Sequence, residues 1–135
     1  MKATGIVRRI DDLGRVVIPK EIRRQMGIRE GDPLEIFTDD DSICLKKFHP
    51  YGEKDWSKAT AVAKVMLDHK FALLDQYGDI KGDNCGHDIE SMNYSKQIML
   101  DGDVIGFIMA RQEEIDYDKV DEVAKVISAM FAEEG

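Results

Sequence analysis

The pattern of apolar and polar positions divides the chain into short, mostly β-type segments before residue 50 and longer elements after it. Residues 3–10, ATGIVRRI, are β-branched and alternate unevenly. They end at Asp11-Asp12-Leu13-Gly14, a turn signal, after which Arg15 to Ile18 reads as a second short strand. Pro19 suits the first position of a helix, where its missing N–H would find no partner anyway. Ile22 and Met26 stack at i and i+4, and Gly27 stops the helix. Glu30 to Pro33 is a further turn, and residues 34–38 and 43–47 flank the polar tip Asp39 to Ser42 as a β-hairpin.

The break at His49-Pro50-Tyr51-Gly52 separates a domain over residues 1–50, through a linker at 51–54, from a second domain over 55–135. Asp55 or Ser57 caps a helix running to about His69, with Trp56, Ala59, Val62, Ala63 and Met66 on one face. Phe71 to Asp75 reads as a buried strand with Gln76 to Asp79 as its turn, and residues 82–94 have no clear period and read as loop with a helical turn at most. Lys96 to Leu100 and Val104 to Arg111 form a second hairpin about Asp101 to Asp103. From Tyr117 a terminal helix carries Val120, Val123, Ile127, Met130 and Phe131 at spacings of three and four. Helix, strand, hairpin, helix is the order of a small α+β domain with a sheet covered by helices.

A module the size of residues 1–50 buries only ~60% of its unfolded surface. Its strands carry apolar groups on both faces, Ile36 on one and Phe37 on the other. The expected solution is a dimer in which strands of two chains complete one barrel or sandwich.

Composition narrows the class. With 43% hydrophobic and 34% charged residues the chain can build a core and is neither disordered nor membrane-spanning. No apolar run approaches the ~20 residues of a membrane helix, and Met1 to Arg15 lacks the apolar stretch of a signal peptide, so a cytoplasmic protein is expected. A net charge of −8 argues against a nucleic-acid partner until it is counted locally. Residues 1–29 hold eight basic and three acidic side chains, net +5, and six of the seven arginines; residues 55–135 hold eight basic and seventeen acidic, net −9. A basic face can act locally when the acidic half lies beyond a Debye length of ~8 Å.

The basic stretch has a specific form. Leu13-Gly14-Arg15-Val16-Val17-Ile18-Pro19-Lys20-Glu21-Ile22-Arg23-Arg24, preceded by Gly5-Ile6-Val7-Arg8-Arg9-Ile10-Asp11-Asp12 and followed by Ile28 to Ile36, resembles the N-terminal domain of the AbrB/SpoVT family of bacterial transition-state and sporulation regulators, nearly without gaps over residues 1–48. The resemblance implies a mainly β swapped-hairpin barrel made by two chains, nucleoid-associated, binding double-stranded DNA. It places Arg8, Arg15, Arg23 and Arg24 where the family has its DNA-contacting arginines, with Arg9, Lys2, Lys20 and Lys46 as helpers. Arginine's planar, always-charged fork suits bidentate phosphate contacts, and a dimer repeats the set. The one helix here is about two turns long, so much of the selectivity is expected from DNA shape and bendability rather than from base edges.

Asp101 to Ile108, ahead of the terminal helix, resembles the late sheet of the GAF domain in the SpoVT branch of that family. The segment between Ile80 and Lys96 is much shorter than the part that walls the ligand pocket there. The second domain is therefore expected to be GAF-like, holding a homodimer or homotetramer together or sensing a small-molecule ligand. Cys85-Gly86-His87-Asp88 has residue types of a thiol or metal site but lacks partners and reads as polar loop. Cys44 reads as a small buried group, Asp39-Asp40-Asp41 as a solvated turn rather than a calcium loop, and Met66, Met99, Met109 and Met130 as core fillers. Nothing supplies paired carboxylates, a nucleophile elbow or a phosphate loop, so no catalytic residue, cofactor or metal is expected. A toxin-neutralising antitoxin of the MazE type, which shares the barrel, is the alternative; its disordered acidic tail fits poorly with the apolar runs at 71–74 and 98–110.

Overall fold

The computed structural model describes residues 2–86 and 88–134, so His87 of the polar loop lies outside the described residues. The chain divides into two compact units, Met1–Phe48 and His49–Gly135.

The first unit contains helix α1 (Lys20–Met26) and a hairpin of β1 (Leu34–Asp39) and β2 (Ser42–Lys47). The hairpin register runs from Leu34 opposite Lys47 to Asp39 opposite Ser42, with Asp40 turning the tip at a φ of 38°. Gly27 ends α1 in a left-handed conformation at φ 65°. The Ile28 N–H then donates to the Arg23 carbonyl and that of Gly27 to the Arg24 carbonyl, the paired bonds of a Schellman cap. The two expected strands at 3–10 and 15–18 are not strands in the single chain. Their β-branched residues supply propensity, but a strand exists only where a neighbouring strand accepts its hydrogen bonds. No described residue of this unit is buried. Of the sixteen exposed large apolar side chains among the described residues, eleven lie between Ile6 and Phe48, including Val7 at 83%, Ile43 at 76% and Ile36 at 67% exposure. Cys44, expected inside, is exposed with them.

The second unit runs α2 (Trp56–Met66), β3 (Phe71–Asp75), β4 (Ile80–Asp83), a single 3-10 turn at Ile89–Ser91, β5 (Tyr94–Leu100), β6 (Asp103–Ala110) and α3 (Tyr117–Glu133). The strands form one antiparallel sheet in the order β4-β3-β6-β5. Asp55 caps α2 by accepting from the Lys58 N–H at 3.0 Å, and Asp116 caps α3 by accepting from Asp118 and Lys119. Both helices cover one sheet face, where Phe71, Leu73, Ile98 and Ile108 meet Ala59, Ala63, Val120, Val123, Ile127 and Phe131. Alternation along β3 sends Ala72 to the other face, where Cys85 and Met92 cover it with Ile89 and Met109. That small cluster is what the short 84–93 segment builds. Met92 is the buried methionine; Met66, Met109 and Met130 are half-buried and Met99 is exposed.

Strand β4 carries no clear signal in the sequence, since Ile-Lys-Gly-Asp has poor β propensity. Its glycine is there for space. A Cβ on Gly82 would lie 1.9 Å from the Thr60 hydroxyl oxygen, so only glycine lets α2 pack over this edge strand.

Candidate nucleic-acid interface

The basic side chains of the first unit are held by three local devices. The first is the turn at Asp11 to Gly14. The Asp11 carboxylate accepts from the backbone N–H of Leu13 at 2.9 Å and of Arg15 at 2.8 Å, and its second oxygen takes the Arg15 Nε at 2.8 Å. The backbone bond from Arg15 and then the guanidinium hold the Asp11 carboxyl below the ordinary aspartate range. Arg15 is thus oriented by a carboxylate, which sequence reasoning missed. The Asp-x-x-Gly-Arg spacing was the available signal, because aspartate four residues ahead can close a turn on the arginine's own N–H. The Arg8 guanidinium donates to the Val7 carbonyl at 3.0 Å.

The second device is α1. Lys20, Arg23 and Arg24 stand at i, i+3 and i+4 on one exposed side, and the two arginines occupy the last turn, where the carbonyl end of the helix favours cations. The Schellman bonds engage their backbone carbonyls and leave both guanidinium groups exposed. The third is the hairpin, which carries Lys46 opposite Glu35 with its Nζ 5.8 Å from the centre of the Phe37 ring. Lys2, Arg8, Arg9, Arg15, Lys20, Arg23, Arg24 and Lys46 are all exposed. Such groups can neutralise phosphates.

The model of the MazE family, described as antidote-toxin recognition in bacterial antitoxins, matches residues 7–51. Stage V sporulation protein T of Bacillus subtilis is 61% identical over 79 residues, covering 56% of this chain and 44% of that protein. The first third of the chain is a MazE/AbrB-type domain. The transition state regulatory protein AbrB of the same organism is 64% identical to this chain over 50 residues, which are 37% of this chain and 52% of AbrB. A solved structure of the DNA-bound N-terminal domain of AbrB shares 64% identity over 37% of this chain and 91% of that one, at a TM-score of 0.32. The chain spans about half the length of these curated relatives, 44% of one and 52% of the other. Beyond the MazE/AbrB-type domain, no helix among the described residues is long and apolar enough to cross a membrane.

Proposed function

We propose that the chain is a DNA-binding transcriptional regulator, not an enzyme, whose MazE/AbrB-type domain is completed by a second copy and contacts DNA phosphates through its exposed arginines. The observation that carries this reading is the joint exposure of the eight basic side chains and of the apolar side chains between Ile6 and Phe48 in one unit. The apolar groups call for a partner surface, since exposed patches of this kind mark association sites. A symmetric pair would supply it, giving 3–10 and 15–18 the strand neighbours they lack and doubling the cationic set. The transition-state and sporulation regulators named above support the role.

The second unit, taken as GAF-like, serves on this reading to join copies into dimers or tetramers. Val65 on α2 is 88% exposed and Val126 on α3 is 36% exposed, spare apolar positions for such a contact. The competing antitoxin reading has the family description in its favour. Against it, the buried side chains among the described residues all belong to residues 59–131, an ordered core in place of a tail that folds on a toxin.

The test pairs sedimentation with mobility shift on duplex DNA. The full chain should sediment as a dimer or larger and retard DNA. Ile36→Asp with Ile43→Asp should lose both properties while the second unit keeps its melting transition. A monomeric wild type that binds DNA as well as the assembled protein would refute the paired interface, and an assembled wild type that does not retard DNA would refute the DNA reading.

A further inference from the structure

A cavity of about 190 Å³ lies within the second unit, on the helix side of the sheet. Its walls are the His49–Trp56 segment, the turn after β3 and the start of β4. By liquid volume it holds about six waters, or a metabolite of about ten non-hydrogen atoms at interior packing density.

The polar groups around it are unevenly committed. Asp75, buried at 2% exposure, spends its carboxylate on the backbone N–H groups of Tyr77 at 2.9 Å and Asp79 at 3.0 Å and on Lys81 at 3.6 Å. The Tyr51 hydroxyl donates to Asp103. Other groups are uncommitted: the half-buried Gln76 amide, with its N–H donors and its acceptor oxygen, and the Trp56 indole N–H have no hydrogen-bond partner among the described residues, and among them the His49 ring makes only an edge contact with Tyr77. Lys54, also half-buried, is paired with no carboxylate among the described residues, and its ammonium donates to the Phe131 carbonyl at 3.0 Å. Glu53, the remaining lining carboxylate, is exposed.

We infer that this cavity binds a small organic monocarboxylate or oxo-acid, its carboxylate on Lys54 and Gln76 and its apolar part against Trp56 and Ile105. The half-buried Lys54 ammonium, without a carboxylate partner among the described residues, can meet one negative charge, and the unpartnered Gln76 N–H groups and Trp56 indole N–H add donors for its oxygens. Trp56 is wedged in place: it meets the Phe131 ring edge-on at 4.9 Å, and a Cβ on Gly106 would sit 2.6 Å from its ring. A ligand on that wall therefore meets a preformed surface. The inference concerns the second unit alone and stands whether or not the first binds DNA.

Trp56 is the sole tryptophan, so its emission reports the site directly. The full chain is titrated with pyruvate, 2-oxoisovalerate, benzoate and acetate at fixed ionic strength, with sodium chloride as the ion control, and melting is followed at each end point. At least one carboxylate should change Trp56 emission saturably, with a Kd below about 1 mM, and raise the melting temperature. Gln76→Ala, in a turn, and Lys54→Met should each weaken that response about tenfold, the loss of one hydrogen bond to a charged group. Equal response to chloride, no saturable response to any carboxylate, or a Gln76→Ala protein that binds as tightly as wild type would each overturn the site.

Discussion

Replacing Arg23 and Arg24 together by alanine tests the DNA face without disturbing what holds it. Alanine is the strongest helix former, and the Schellman bonds that end α1 use the two backbone carbonyls, so Lys20–Met26 keeps its conformation. In a dimer the change removes four exposed guanidinium groups. If the dimer neutralises roughly six to eight phosphates, the slope of log K against log salt is about −5 to −7; each phosphate left without its arginine reduces its magnitude by about 0.9, so four reduce it by about 3.6, to about −1 to −3. At about 0.15 M salt each neutralised phosphate contributes roughly 0.7 log units through counterion release. The pair in both chains therefore costs about a thousandfold in affinity, or about 4 kcal/mol. Fluorescence anisotropy on a labelled duplex across about 50–300 mM salt gives both quantities, with sedimentation as the control for assembly. A variant that stays assembled, with slope and affinity within about twofold of wild type, would refute the placement of these arginines on DNA.

Gly106→Ala should damage the second unit: its Cβ would fall 2.4 Å from the Leu74 carbonyl oxygen and 2.6 Å from the Trp56 ring, between strands that cannot move apart. Overpacking of this kind costs about 1–3 kcal/mol, a fall in melting temperature of roughly 5–20 °C for a unit of this size, and calorimetry showing wild-type melting would disprove the close approach. The Asp11 turn should respond to acid. Its carboxyl is depressed in the folded chain by the Arg15 backbone N–H and guanidinium, so the turn is at full strength above the ordinary aspartate range and loosens as pH falls through the lowered value. The amide signals of Leu13 and Arg15 should titrate together below that range, and a midpoint within or above it would show that the carboxylate does not hold the turn.

The local elements were legible wherever period, cap and stop agreed. The helices at 20–26, 56–66 and 117–133 and the two hairpins sit within a few residues of where Pro19, Gly27, Asp55, the apolar spacing from Tyr117 and the Asp-rich turns put them. The basic cluster was legible too, because charge is a property of composition and exposure is its default. The Asp11–Arg15 bond was not, because it depends on a backbone turn bringing one carboxylate to three donors. The cavity was not either, since His49, Lys54 and Gln76 have no shared spacing and meet only through the sheet.

By itself the sequence determined where helices and turns begin and end, which face of each is apolar, and that the cations gather in the first third. Those are short-range consequences of φ preference, side-chain period and charge. Tertiary structure decided the rest: that Ile80–Asp83 is a strand, because β3 offers it an edge and Gly82 leaves room for Thr60. It also decided that 3–10 and 15–18 are not strands in one chain, because pairing needs a partner that propensity cannot provide.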